Sequence, residues 1–164
     1  MAASPGWKLR LIDFWPPFAG AGIRVRQVGS DPLAFESRLV LRFWNRNYVG
    51  TAFGGSLYAM ADPFYMLILI RELGPGFTVW DKAAVVRFLR PGRGTVTARF
   101  EIPRERIEEI RQEVEDAGRA EPRFLAEIRD GSGGLVAEVA KIVSVRRRER
   151  GNPVPGPGAR ASGR

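Results

Sequence analysis

The sequence predicts an α+β protein in which a curled antiparallel sheet of five to six strands wraps around one central apolar helix. Runs of alternating apolar and polar residues lie on both sides of one long apolar segment, residues 51–73. Alternation with a period of two is typical of half-buried strands, whereas a helix that is apolar all round is buried. Because the strands do not alternate one by one with helices, a parallel βαβ sheet is not expected.

Two strands are predicted ahead of the apolar segment, over residues 22–28 and 35–44. In the second strand, apolar Phe35 and Leu39 alternate with charged residues, which indicates one buried and one exposed face. After the apolar segment, a Gly-Pro-Gly sequence ends the helix, and a surface helix is expected between Pro103 and Gly118. The remaining predicted strands cover residues 79–89, 95–102, 124–129 and 135–145.

The length of 164 residues suits one folded domain, which we place at residues 21–145. Residues 1–20 are predicted as an N-terminal helical segment, with an amphipathic helix over 4–18 that ends at Pro16 and Pro17. The apolar run is too short to cross a bilayer, which takes about 20 residues. No secretory signal pattern precedes it, so a cytoplasmic location is expected.

The composition restricts the chemistry that this chain can perform. It contains no cysteine and no histidine, which excludes thiol nucleophiles, disulfides and the usual general base near neutral pH. Any catalysis must therefore use carboxylates, hydroxyls, amines, amides and backbone dipoles. No cofactor and no metal site are predicted.

The positive charge is concentrated at the C-terminal end. The formal net charge is +8, and residues 146–164 hold six arginines and one glutamate, so they carry +5 of that total. This segment is rich in proline, glycine and arginine, and it is predicted to be a basic disordered tail. The charge therefore belongs to the tail more than to a folded face, and nucleic acid is not an expected partner.

One carboxylate interrupts the apolar segment, and it is followed at once by a proline. Asp62 and Pro63 are compatible with two structures. Asp62 can be the N-cap of a short helix over residues 63–73, because Asp-Pro is a good helix start. Alternatively, the helix begins at Gly55 and Asp62 lies about two turns inside it, where Pro63 bends the helix.

The segment "NRNYVGTAFGGSLYAMAD" (45–62) resembles the opening of the central helix in hotdog-fold acyl-CoA thioesterases of the phenylacetate-pathway type. The segment "VVRFLRPGRG" (85–94) resembles a strand ending of the same family. Taken together, the two segments are closer still to an uncharacterised hotdog branch, a domain of unknown function. The resemblance covers about residues 20–145. It implies a hotdog fold, a thioester substrate, and assembly as a homodimer or homotetramer.

The resemblance also implies roles for particular residues. Asp62 would act as base or nucleophile in a helix, and the Gly55 amide would polarise the thioester oxygen. Asn47 would bind the acyl group or orient water, with a plain turn role as the equal alternative. The position of the family's histidine is Phe53 here, and this loss favours a second function: a non-catalytic domain that binds acyl thioesters or acyl chains.

Five further positions are candidates for contacts with the substrate. Phe53 and Gly54 would line the pocket at the helix start, and Tyr58 would lie beside it. Asp81 and Lys82 stand out in an apolar strand and are expected to face opposite sides of it. For Asp81, an edge or interface ion pair is the alternative to a pocket role. Arg90 flanks a turn and would meet the coenzyme A phosphates, unless it is simply solvated.

Overall fold

The computed structural model describes residues 12–148. After a 3-10 turn at Ile12–Phe14, this part of the chain forms four helices and seven strands. The helices are α1 (Pro16–Ala21), α2 (Gly54–Ala59), α3 (Phe64–Leu73) and α4 (Arg104–Ala117). The strands are β1 (Ile23–Ser30), β2 (Leu33–Val40), β3 (Phe77–Phe88), β4 (Thr95–Phe100), β5 (Arg119–Ala120), β6 (Arg123–Asp130) and β7 (Leu135–Arg147).

All the strands belong to one antiparallel sheet with the order β1-β2-β4-β6-β7-β3. The short strand β5 pairs with β7 off this path. The predicted α+β class and curled antiparallel sheet are confirmed. The seventh strand was not predicted, because two residues are too few to show an alternating pattern. The sheet remains open, and β1 and β3 are its two edges.

The apolar central segment fills the concave side of this sheet. Phe64 is fully buried, and its ring lies 4.6 Å from the ring of Phe100 and 5.3 Å from that of Phe35 between centroids. Ile68 and Leu69 continue the same buried helix. The predicted central apolar helix is therefore confirmed as the core element. No helix among residues 12–148 is long and apolar enough to span a membrane.

The central helix is interrupted at the Asp-Pro sequence, which neither of the two expected structures described. A continuous helix over residues 55–73 is wrong, because α2 ends at Ala59 and α3 begins at Phe64. A side-chain cap by Asp62 is also wrong, because Pro63 occupies the N-cap position of α3 and no side chain caps it. Proline lacks the N–H group that a regular helix needs. The chain therefore forms a short turn over residues 60–63, and helical structure resumes at Phe64.

Other boundaries also differ from the sequence predictions, and three of them are informative. α1 begins at Pro16, whereas the sequence predicted that a helix ends at this residue. Proline suits the first turn of a helix. β2 stops at Val40, before the predicted end at Trp44. β7 continues to Arg147, two residues into the predicted tail. The predictions for residues 1–11 and 149–164 lie outside the described residues.

Truncation of Phe64 should reduce stability more than truncation of an exposed residue of the same helix. Phe64→Ala leaves a cavity beside two other aromatic rings, and we expect a loss of about 3–5 kcal/mol in the free energy of unfolding. Ile70→Ala is the control, because Ile70 is 45% exposed. Denaturant unfolding of both variants tests the packing, and equal losses would contradict it.

Candidate active site

Two buried side chains satisfy the backbone carbonyls that the helix interruption exposes. Ser37 on β2 donates its hydroxyl to the carbonyl oxygen of Met60, at 2.7 Å. Lys141 on β7 donates its ammonium group to the carbonyl oxygen of Asp62. Both donors are buried. Since an unpaired buried carbonyl is costly, these two contacts stabilise the interruption as a defined part of the fold.

Lys141 makes two further contacts, and both are to carboxylates. Its Nζ lies 2.8 Å from Oδ2 of Asp81 and 3.3 Å from Oδ1 of Asp62. A lysine ammonium has three N–H donors, so these two contacts and the Asp62 carbonyl occupy all of them. A fully buried charge of this kind is tolerated only when it is paired and hydrogen-bonded. Lys141 is therefore an anchor for the carboxylates and not a free nucleophile.

Asp81 faces the inside of the sheet on β3. It pairs in register with the buried Val143, and a bulge between Asp81 and Ala83 changes the alternation of the strand beyond it. Burial raises the pKa of the Asp81 carboxyl, while the Lys141 ammonium opposes that shift. Oδ1 of Asp81 is buried and has no hydrogen-bond partner among the described residues.

Lys82, the residue that follows Asp81 on β3, makes a separate ion pair. Its ammonium lies 2.7 Å from Oε1 of Glu121 at the surface. Asp81 therefore forms an ion pair with Lys141 on the edge strand β3, and its contact with a substrate stays a prediction.

Asp62 is the accessible carboxylate of this group. Its side chain is 41% exposed, whereas that of Asp81 is 22% exposed. Lys141 engages only Oδ1 of Asp62, so Oδ2 remains for another partner. A carboxylate in this position can accept a proton or attack an electrophile that reaches its exposed side.

Tyr58 on α2 completes a cluster that we call the Lys141 cluster: Tyr58, Asp62, Asp81 and Lys141. The Lys141 ammonium lies 5.8 Å from the centroid of the Tyr58 ring. Burial, reinforced by the Asp62 and Asp81 carboxylates, raises the pKa of Tyr58 to about 12. The hydroxyl therefore keeps its proton at neutral pH and can serve as a hydrogen-bond donor.

The glycines at the start of α2 lie against neighbouring rings. A Cβ atom on Gly54 would lie 2.9 Å from the Phe88 ring, and one on Gly55 would lie 2.5 Å from the Phe53 ring. Phe53 itself is exposed at this end of the helix. α2 has six residues, so its dipole is smaller than that of the long helix expected from the sequence. The Gly55 amide remains a predicted contact for a thioester oxygen.

Asn47 and Arg90 make no contact with the Lys141 cluster. Both polar atoms of the Asn47 side chain bond Thr51 at 2.9 Å, which is the turn role expected as its alternative. Arg90 pairs with Asp130 at 3.1 Å, beside the turn between β6 and β7. Their predicted substrate roles have no support from these contacts.

Sequence reasoning missed Lys141 and Ser37. The signal for Lys141 was present, because the alternation of β7 places it on the same face as the buried Val139 and Val143. A charged residue on the apolar face of a strand requires a buried partner. The contact with Ser37 had no such signal, since an isolated serine in a strand is ordinary.

A family model matches residues 8–145 of the chain, and its description is "Domain of unknown function (DUF4442)". The chain belongs to the DUF4442 family. Among curated proteins, none matches this DUF4442 chain.

Solved structures similar to this DUF4442 protein include several thioesterase-like proteins. A protein of unknown function from Pseudomonas aeruginosa, described as a probable thioesterase, is 23% identical with a TM-score of 0.77, over 90% of this chain and 99% of that one. A Haemophilus influenzae thioesterase is 21% identical with a TM-score of 0.63, over 88% of this chain and 92% of that one. A protein of unknown function from Chlorobaculum tepidum is 18% identical with a TM-score of 0.69, over 87% and 94% of the two chains. At these identities the likeness shows the fold, and the hotdog-type architecture is confirmed.

Removal of the Ser37 hydroxyl should destabilise the DUF4442 protein. Ser37→Ala leaves the buried Met60 carbonyl without its donor, and we expect a loss of about 1–3 kcal/mol in the free energy of unfolding. Ser144→Ala, on the less buried face of β7, is the matched control and should change stability by less than about 0.5 kcal/mol. Denaturant unfolding would contradict this assignment if both variants behaved alike.

Proposed function

We propose that this protein hydrolyses an acyl thioester, carried either by coenzyme A or by a carrier protein, with Asp62 as the reacting carboxylate. The observation that carries the proposal is the position of Asp62 at the interruption of a buried helix. A buried ammonium engages one of its oxygens, and the side chain is partly open to a ligand. The thioesterase names of similar structures agree with this reaction class.

Two routes are compatible with this carboxylate. As a base, Asp62 removes a proton from a water molecule, whose oxygen attacks the thioester carbon and displaces the thiolate. As a nucleophile, Asp62 attacks that carbon itself and displaces the thiolate, and water then hydrolyses the resulting anhydride and frees Asp62. Either route consumes one water and releases one carboxylic acid and one thiol.

Donors are needed for the oxygen that becomes negative during this reaction. The protonated Tyr58 hydroxyl and the Gly55 amide are the candidates near the start of the central segment. Phe53, Gly54 and Tyr58 would then contact the acyl group or its carrier. Asp81 would act on the substrate only through Lys141 and Asp62, because both carboxylates share that ammonium.

We also propose that a second copy of the chain closes the site. β3 is a twelve-residue edge strand, and Trp80, Val85 and Phe88 are exposed along it. An unpaired edge with exposed apolar side chains is a template for pairing with another chain. Pairing of two such edges would cover the exposed surface at Phe88 and the start of α2, and would produce a homodimer.

A non-catalytic role in binding acyl thioesters is the second candidate function. The specific observation in its favour is Phe53, an aromatic side chain at the position where the resembling enzymes carry a histidine. In this case the surface around Phe53 and Asp62 would hold a thioester without hydrolysing it.

Turnover of a panel of acyl-CoA thioesters by the wild type and by Asp62→Asn tests the proposed reaction. The variant keeps the size of the side chain but removes its basicity, so we expect kcat/KM to fall about 100-fold or more. Asp116→Asn, on the charged surface helix α4, is the control and should retain full activity. Saturable binding without turnover in the wild type would instead establish the non-catalytic role.

Sedimentation measurements should show a dimer at micromolar concentration. Val85→Arg introduces a charge on the edge strand β3 and should shift the equilibrium toward monomer. Leu125→Arg places the same charge on the exposed part of β6, away from that edge, and should leave the dimer intact. A monomeric wild type would rule out the shared site.

A further inference from the structure

We propose that the loop over residues 41–51, which we call the aromatic loop, docks the protein on a membrane surface that carries anionic lipids. The aromatic loop follows β2 and leads to the start of α2. None of its residues belongs to the Lys141 cluster. Docking at this loop therefore goes beyond the proposed hydrolysis and does not depend on it.

The aromatic loop presents large apolar side chains to solvent instead of burying them. Phe43 is 75% exposed and Val49 is 73% exposed, while Tyr48 is fully exposed. Trp44 is also exposed, and its ring lies 5.0 Å from that of Phe43 between centroids. Single apolar residues on a surface are ordinary, but four of them within residues 43–49 form a patch. Patches of this kind mark contacts with a partner or with a membrane.

Hydrogen bonds fix the aromatic loop in this conformation. The buried side chain of Asn45 accepts a hydrogen bond from the Arg42 amide at 2.7 Å and donates one to the carbonyl oxygen of Ala21 at 2.9 Å. Near the tip, the Asn47 side chain bonds Thr51 through both of its polar atoms. The exposure of the apolar residues is therefore a property of the folded loop, and docking needs little further ordering of the backbone.

The charges of the aromatic loop are all positive. Arg42 and Arg46 belong to it, and residues 37–61 contain no aspartate or glutamate. Neither arginine has an ion-pair partner among residues 12–148. The guanidinium carbon of Arg42 lies 5.7 Å from the centroid of the Trp44 ring, so cation and ring share one surface. This surface is complementary to a negatively charged one.

The turn that follows β3 adds a third arginine beside the aromatic loop. Leu41 donates its amide to the carbonyl oxygen of Gly94 at 2.8 Å, and Ala52 donates to that of Gly92 at 2.9 Å. Arg93 lies between these two glycines and is exposed. Within the described part of the chain it forms no ion pair either. The positive surface therefore continues beyond the loop itself.

The combination of rings, an aliphatic side chain and arginines favours a lipid surface over other anionic partners. Tryptophan and tyrosine rings prefer the membrane–water interface, where the ring is in apolar surroundings and its polar atom stays hydrated. Arginines beside them contact lipid phosphates. A single-stranded nucleic acid would use the arginines and stack on the rings, but it would gain little from Val49.

Binding of the full-length protein to vesicles tests the charged part of the proposal. We expect binding to vesicles of phosphatidylcholine and phosphatidylglycerol mixed about two to one, and much weaker binding to pure phosphatidylcholine. Arg42→Glu/Arg46→Glu should lower the binding constant about 10-fold or more. Residues 146–164, which carry most of the positive charge, are the same in every variant.

A second charge reversal is the matched control. Arg119→Glu/Arg123→Glu makes the same change at exposed positions of β5 and β6. Arg119 pairs with Arg146 near the end of β7, whereas β3 pairs with the beginning of β7 just before it leads to the turn beside the aromatic loop. Charges that far from the lipid are screened by salt, so binding should change by less than about 3-fold at physiological ionic strength.

The apolar part of the proposal has its own readouts. Tyr48→Ser/Val49→Ser should lower vesicle binding about 10-fold, because interfacial binding scales with the apolar area that is buried. Leu125→Ser, at an exposed apolar residue of β6, is the control and should bind like the wild type. Tryptophan emission should shift to shorter wavelength on the mixed vesicles. That shift should disappear in Trp44→Phe and persist in Trp80→Phe.

Four results would overturn the proposal. The first is a wild type that does not bind the mixed vesicles, and the second is binding that neither loop variant weakens. The third is a loop variant that sediments as a smaller species than the wild type, which would assign the aromatic loop to contacts between copies of the chain. The fourth is binding of a single-stranded oligonucleotide that Arg42→Glu/Arg46→Glu abolishes, without an emission shift on vesicles. Thioester turnover can be present or absent in each case, so failure of this proposal is distinguishable from failure of the proposed function.

Discussion

The buried ammonium of Lys141 is the contact on which the candidate site depends. It joins three elements that are far apart in sequence: β7, β3 and the interruption of the central helix, the last 79 residues away. A buried lysine is costly unless every donor is used, and here each N–H group has an acceptor. Without this contact, two carboxylates and one backbone carbonyl would lack their common donor in the core.

The interruption of the central helix gives Asp62 its particular environment. In a continuous helix the Asp62 backbone would be fully satisfied by its own segment, and no partner from the sheet would be needed. Pro63 prevents that, and the freed carbonyls are bonded by Ser37 and Lys141. The carboxylate is thus attached to the sheet while part of it stays accessible. A local defect in the helix, stabilised from two strands, is what joins the fold to the proposed chemistry.

The sequence was sufficient to predict the architecture, because alternating apolar residues indicate strands and an all-apolar segment indicates a buried helix. It was also sufficient to single out Asp62 and Asp81 as unusual charges in apolar surroundings. It was not sufficient to predict that the helix is interrupted, because an Asp-Pro sequence is compatible with both a helix cap and a helix bend. The alternation of β7 predicts that Lys141 is buried, but it does not identify its partners, because Lys141 lies 60 residues beyond Asp81. Asn47 matched a motif and Arg90 flanked a turn, yet Asn47 bonds Thr51 and Arg90 pairs with Asp130, both outside the Lys141 cluster.

A crystal structure with a thioether analogue of an acyl-CoA, in which the thioester carbonyl is replaced by a methylene group, tests the central claim most directly. The account predicts that the methylene next to sulfur lies against the Asp62 carboxylate, with Lys141 still bonded to the Asp62 carbonyl and to Asp81. An analogue bound away from Asp62, or a complex in which Lys141 has left both carboxylates, would contradict it.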